Sequence, residues 1–123
     1  MNNEIETLFA NFTVGGVSIP VAFLYYEGHG EPYVTYMEES ASGSLTGDDE
    51  LEGYVAYYDF DIYAKGNFTD IIKAVKKTLV DAGWVWQVSR SSEDMYEPDT
   101  QYYHKTLNFA IEVMVKEEEE NNG

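Results

Sequence analysis

The chain has 123 residues, of which 44% are hydrophobic and 15% aromatic, and its 23 acidic and 7 basic residues give a formal charge of −16. This charge repels nucleic-acid phosphates and anionic membrane surfaces, so direct binding to either is not expected. The absence of cysteine excludes a disulfide framework, a thiolate metal site and a cysteine nucleophile.

The N-terminal part of the chain is predicted to form a short helix followed by two strands. Apolar residues recur between residues 4 and 12 with the spacing of one face of an amphipathic helix. The mostly apolar run 17–26 contains Pro20, and because proline donates no ladder hydrogen bond, this run is expected at a sheet edge. Glycine and proline in residues 28–32 indicate a turn, and residues 33–39 alternate like a strand, so a hairpin is expected.

The middle of the chain is predicted to contain a long loop and a half-buried strand. Residues 40–53 are rich in Ser, Gly, Thr and acidic residues, which favours a long exposed loop. Residues 54–64 alternate between an apolar set and a set that contains Asp59 and Asp61. Because successive side chains of a strand point to opposite faces, these two carboxylates are expected to meet water or a partner.

The clearest helical pattern covers residues 67–82. Asn67 is placed to cap this helix with Asp70 in its first turn, and Gly83 is placed for a left-handed C-cap. The predicted apolar face comprises Ile72, Val75, Leu79 and Ala82. Residues 84–89 then alternate like a strand, followed by a polar turn from Arg90 to Thr100.

The last strand is expected from about Tyr102 to Val115, with alternate apolar residues on its buried side. The expected fold class is α+β: a mainly antiparallel sheet with one long helix packed on a face and a short N-terminal helix. We expect a single domain over residues 1–116. Residues 117–123 contain four glutamates and no apolar residue, which predicts a disordered acidic tail.

No residue pattern indicates an enzyme, a cofactor or a metal site. His29 and His104 are the two histidines, and neither lies in a known ligand spacing. Residues 48–50 are acidic but lack the spacing of a calcium-binding loop. Asp59 and Asp61 are roughly 7 Å apart on one strand face, yet nothing near them indicates an acid and base pair. The 11 tyrosines suit either a protein interface or a half-buried sheet, and both interpretations stay open.

Six short motifs, in order, resemble a family of small tail-completion proteins of siphophages and prophages of Gram-positive bacteria. The resemblance covers roughly residues 30–115. The motifs are Tyr33-Val34-Thr35-Tyr36, Asp48-Asp49, Asp61-Ile62-Tyr63-Ala64-Lys65-Gly66, Ala82-Gly83, Asp94-Met95-Tyr96-Glu97-Pro98-Asp99-Thr100 and Tyr103-His104-Lys105.

The resemblance implies a non-enzymatic protein that caps the finished tail tube as a hexameric ring and joins it to the head connector. Such a protein would assemble in the host cytoplasm and remain in the virion tail, with itself, the tube protein and the connector protein as partners. Contacts with other subunits or the tube are expected at Tyr57, Tyr63, Tyr96, Glu97, Asp99 and Tyr103. An acidic channel, along which repelled DNA slides without sticking, is expected to be lined by Asp48, Asp49, Asp59 and Asp61.

Two other functions stay open at this point. The charge of −16 also suits an acidic inhibitor that mimics DNA phosphates, although the carboxylates are scattered rather than regularly spaced along one element. A domain that binds a small molecule has only the aromatic content in its favour.

Overall fold

A computed structural model describes residues 2–27, 32–47 and 50–114, with side chains described outside residues 43–52. Its helices are α1 (Asn2–Leu8) and α2 (Phe68–Asp81), and a short 3-10 turn covers Val88–Arg90. Its strands are β1 (Thr13–Val14), β2 (Val17–Ser18), β3 (Val21–Phe23), β4 (Tyr33–Gly47), β5 (Glu50–Ala64), β6 (Val85–Trp86), β7 (Met95–Glu97) and β8 (Tyr102–Met114). The predicted turn at 28–32, apart from Pro32, and the acidic tail at 117–123 lie outside the described residues. The single domain over residues 1–116 stays a prediction.

One mixed sheet organises the described residues. Its strand order is β3-β4-β5-β8-β6, with β7 paired to β8, while β1 and β2 form a separate two-stranded sheet. All pairs in the main sheet are antiparallel except β3 with β4. The predicted α+β class with a mainly antiparallel sheet is therefore confirmed.

The predicted hairpin between the first two strands is wrong. Val21 lies opposite Val34 and Phe23 opposite Tyr36, so β3 runs parallel to β4. Side-chain alternation is the same in both directions, and strand direction depends on how the connection runs. Here Leu24 adopts a left-handed conformation with φ 64°, which turns the chain out of the sheet directly after β3. The edge position expected from Pro20 is confirmed, because β3 is the outermost strand beside β4.

The predicted loop over residues 40–53 is also wrong. Its described backbone pairs antiparallel, from Ser40 opposite Tyr57 to Gly47 opposite Glu50, as the distal half of the long β4–β5 hairpin. The composition favoured a loop, but ladder hydrogen bonds join backbone groups, so a segment poor in apolar residues can still pair as a hairpin. The register shifts between Glu38 and Ser40, where a bulge adds a residue to β4.

The core lies between the inner face of the main sheet and the two helices. Phe60 and Ile62 of β5, Val75 of α2 and Ile5 of α1 are all fully buried. The predicted buried side of β5 is confirmed, because Ala56, Tyr58, Phe60 and Ile62 are buried and Tyr54 is partly buried against the core. β8 is buried more widely than alternation predicts, since Asn108 and Ala110 are buried together with Leu107, Phe109 and Val113.

Several predicted ends and caps differ from the structure. Asn67 adopts φ 55° and makes no side-chain cap; in that conformation its backbone carbonyl accepts from the Ile71 N–H at 3.0 Å. Ala82 is exposed because α2 ends at Asp81. The left-handed conformation expected at Gly83 is confirmed by its φ of 95°.

Three predicted segments differ from the structure in length or in secondary structure. The N-terminal helix ends at Leu8 rather than near Phe12. The strand expected over residues 84–89 covers Val85 and Trp86, because a 3-10 turn begins at Val88. The Ser91 hydroxyl stabilises this turn by donating to the Gln87 carbonyl at 2.8 Å. The polar turn contains β7, which pairs with the start of β8. Among the described residues, no helix has both the length and the apolarity needed to cross a bilayer.

Candidate interaction site

The main sheet has a polar outer face, turned away from the helices. Tyr57, Asp59, Asp61 and Tyr63 alternate with the buried side chains of β5 and so project from this face. Register places Asp59 opposite Asn108 and Asp61 opposite Thr106 of β8. The expectation that the two carboxylates share a face is confirmed.

Both carboxylates of the outer face have partners on β8. Asp59 Oδ1 accepts from Asn108 Nδ2 at 2.8 Å. Asp61 Oδ1 accepts from the Thr106 hydroxyl and lies 3.2 Å from His104 Nε2. The other ring nitrogen of His104 lies 3.6 Å from Glu97 Oε1. A polar network therefore crosses β5, β8 and β7.

The environment of Asp59 disfavours its charged form. Burial raises the pKa of Asp59 above its ordinary value, the hydrogen bond from Asn108 opposes this shift, and the nearby charges of Asp61 and Glu39 add to it. The Asn108 side chain is fully buried, and its Oδ1 has no hydrogen-bond partner within the part of the chain that the structure describes. A partly buried carboxylate beside two others is an unfavourable arrangement for folding.

A row of stacked rings crosses three strands next to this network. The Tyr33 and Tyr63 rings stack with centroids 4.7 Å apart, and the Tyr63 and His104 rings stack at 4.2 Å. Burial, assisted by the charge of Asp61, raises the pKa of Tyr63 to about 12. Tyr63 is therefore neutral at physiological pH, and its ring packs between strands of its own chain.

A second group of aromatic side chains is exposed. Tyr96 is 51% exposed and Tyr103 is 43% exposed. The Tyr96 and Tyr103 rings lie 5.0 Å apart, and Phe68 at the start of α2 stacks on Tyr103 at 5.6 Å. We call Phe68, Tyr96 and Tyr103 the aromatic patch. Clustered exposed rings of this kind are typical of protein interfaces.

The structure divides the predicted contact residues between two places. Tyr96 and Tyr103 belong to the aromatic patch. Glu97 follows Tyr96 in β7, and Asp99 is exposed in the turn between β7 and β8. Tyr57 and Tyr63 lie on the outer face instead, where rings and side chains of the same chain contact them. Of the predicted channel residues, Asp59 and Asp61 share the outer face, while Asp48 and Asp49 lie outside the described residues.

Sequence reasoning missed Arg90, Thr106 and Asn108. Thr106 and Asn108 belong to the polar side of β8, and only the register with β5 shows which carboxylate each one meets. In residues 2–27, 32–47 and 50–114, no group of three or more His, Cys, Asp or Glu side chains is placed to hold a metal ion.

An acidic α+β fold with an exposed aromatic patch and a polar sheet face defines a class of protein that offers surfaces to other proteins. Comparison with known families identifies the family within this class. Residues 5–113 match the family model described as tail completion protein gp17. The chain belongs to this tail-completion family, and its role is a structural one in the phage tail. A search of curated proteins found no match.

Proposed function

We propose that this protein is a tail terminator, which caps the tail tube as a hexameric ring and joins it to the head connector without catalysing a reaction. The observation that carries the proposal is the family match over residues 5–113. In an infected cell the ring would assemble in the host cytoplasm on the end of the tube, and it would remain in the virion tail.

The aromatic patch is the proposed contact between subunits. A ring requires a heterologous contact, in which one surface of a subunit meets a different surface of its neighbour. Tyr96 and Tyr103 supply large apolar area with few rotatable bonds, which limits the entropy lost on binding. Glu97 and Asp99 would form the polar rim of the contact, while Tyr57 and Tyr63 would contribute from the outer face.

The part of the outer face between Tyr57 and Tyr63 is the proposed channel wall. Asp59 and Asp61 would face the lumen together with Asp48 and Asp49, so that DNA phosphates passing through are repelled and do not bind. The hydrogen bonds that Asn108 and Thr106 donate support this arrangement, because they hold the carboxylates in place without a permanent positive charge.

Native mass spectrometry across protein concentration, with and without the tail tube protein of the same phage, tests the ring. We expect hexamers, either of the protein alone or on the tube. Tyr96→Ser combined with Tyr103→Ser should shift the population to monomers, while Val80→Ser, which removes an exposed apolar side chain from α2 (53% exposed), should not. Monomers under both conditions would refute the ring. A stable dimer that competes with DNA for a basic protein would instead favour the DNA-mimic function.

A further inference from the structure

One edge of the main sheet is open along most of its length. β3 pairs with β4 only from Val34 to Tyr36, whereas β4 continues to Gly47. Among the described residues, no strand pairs with this edge of β4 beyond Tyr36. A free strand edge offers unpaired backbone groups to another chain.

The direction of the backbone groups identifies where a new strand would bind. The Val34 N–H donates to the Pro20 carbonyl at 2.9 Å, and the Tyr36 carbonyl accepts from the Leu24 N–H at 3.0 Å. Because these groups alternate in direction along a strand, the N–H and carbonyl of Glu38 point to the same open edge. Glu38 is the last residue before the bulge. A strand added beyond the end of β3 would therefore pair with the backbone groups of Glu38.

The residue directly after β3 has an unusual backbone conformation. Leu24 has φ 64°, a left-handed conformation that is unfavourable for a leucine. The turn leaves three consecutive large apolar side chains in solvent, with Phe23 47%, Leu24 57% and Tyr25 71% exposed. An exposed apolar run of this length is unfavourable unless a partner covers it.

A groove lies beside this open edge. Its volume is about 450 Å³, and its lining includes Phe23, Leu24, Met37 and Glu38 together with Asn2 and Asn3 of α1. This volume lies within the usual range of binding pockets, about 300–1,000 Å³. The groove therefore places apolar side chains next to the open backbone groups of Glu38, and an added strand binds through such groups and side-chain pockets.

The charges identify the chemistry of the partner. Glu39 pairs with Arg90 at 3.0 Å, whereas Glu38 has no ion pair among the described residues. The net charge of −16 and the carboxylate of Glu38 favour a basic segment at this edge. We propose that the groove and the open edge of β4 bind an extended basic segment of a different protein, which adds a strand at Glu38 and covers Phe23 and Leu24.

Amide hydrogen exchange of the full-length protein, resolved by NMR, tests this proposal directly. The probe is a synthetic peptide of alternating lysine and valine, and its control replaces every lysine with glutamate. We expect the basic peptide to slow exchange at the Glu38 amide by roughly tenfold or more, because a ladder hydrogen bond protects the amide. We expect the acidic peptide to leave this exchange unchanged.

Two variants separate the parts of the site. Leu24→Gly keeps the left-handed backbone, which glycine adopts readily, but removes the apolar side chain and should weaken the basic peptide by roughly tenfold. Glu38→Lys should abolish the preference for the basic peptide, while Glu93→Lys, the same charge change on an exposed residue before β7, should not.

Three results would overturn the proposal. The first is the absence of protection at Glu38 with the basic peptide. The second is equal protection by the basic and acidic peptides. The third is protection that increases with the concentration of the protein alone, which would make a second copy the occupant. The proposal does not depend on ring formation, because its readout is exchange at one edge of a single chain.

Discussion

The guanidinium carbon of Arg90 lies 3.9 Å from the centre of the Tyr57 ring. The same side chain donates to Glu39 Oε2 at 3.0 Å and to the Ser40 hydroxyl at 3.2 Å. Arg90 belongs to the 3-10 turn next to β8, while Glu39 and Ser40 belong to β4. One arginine therefore crosses the outer face and holds the bulged part of β4 to the opposite side of the sheet.

Arg90→Ala is expected to lower the free energy of unfolding by about 1 kcal/mol, the sum of a partly exposed cation–π contact and a surface ion pair. Urea unfolding followed by tryptophan fluorescence measures this loss. Lys73→Ala is the control, because Lys73 is exposed on α2. Equal effects of the two substitutions would contradict a stabilising role for Arg90.

Asp59→Asn is expected to stabilise the protein at neutral pH. Burial raises the pKa of Asp59 above its ordinary value of 3.8, so the folded state binds this proton more tightly than the unfolded state does. Ionised Asp59 therefore lowers the free energy of unfolding above the folded-state pKa, and this penalty disappears as the pH falls from that pKa through 3.8. Asparagine keeps an acceptor for Asn108 and carries no charge.

Urea unfolding at a series of pH values from about 7 to about 4 measures the effect of Asp59→Asn. The gain over the unmodified protein should be largest at neutral pH and should shrink at the acidic end. Asp99→Asn, in an exposed turn, should show no comparable gain. A gain that is independent of pH would argue against a charge effect at Asp59.

Phe60→Ala is expected to lower the free energy of unfolding by about 3–5 kcal/mol. Phe60 is fully buried, and its ring centre lies 5.7 Å from Trp84 and 6.1 Å from Phe109, so alanine leaves a cavity in the core. Phe23→Ala removes the same atoms from an exposed site and should cost about 1 kcal/mol or less. Thermal and urea unfolding of both variants provide the comparison, and similar losses would mean that Phe60 does not anchor the core.

Gly83→Ala is expected to cost about 1 kcal/mol, because Gly83 has φ 95°, a conformation that alanine adopts only with strain. An added Cβ would meet nothing within 4 Å at Gly83 or at Gly66, and Gly66 does not have a positive φ. Gly66→Ala is therefore the matched control and should be neutral or slightly stabilising. If both substitutions cost the same in urea unfolding, the backbone explanation is wrong.

Patterns that depend on one element were predictable from the sequence. The buried side of β5, the shared face of Asp59 and Asp61 and the helix ending near Gly83 each follow from local periodicity or a local backbone preference. These patterns locate the carboxylates on a face, because a residue's face depends only on its position within its own strand.

Relationships between elements were not predictable in the same way. Alternation gives no strand direction, so it did not predict that β3 runs parallel to β4. The polar composition of residues 40–53 favoured a loop, so it did not predict the distal β4–β5 hairpin. The partners of Asp59 and Asp61 depend on a register that the sequence does not state. The contact of Arg90 with Glu39 joins residues 51 positions apart, and only the assembled sheet brings them together.

The pairing of β5 has a consequence for how the chain folds. Its partners in β4 are between 3 and 30 positions away in sequence, whereas its partners in β8 are between 39 and 61 positions away. Closing the larger loop costs more chain entropy before any contact repays it. Leu107→Ala in β8 is therefore expected to slow refolding in stopped-flow fluorescence, and an unchanged refolding rate would show that β8 docks late. The hairpin can form first, and the arrival of β8 then limits the rate at which the core closes.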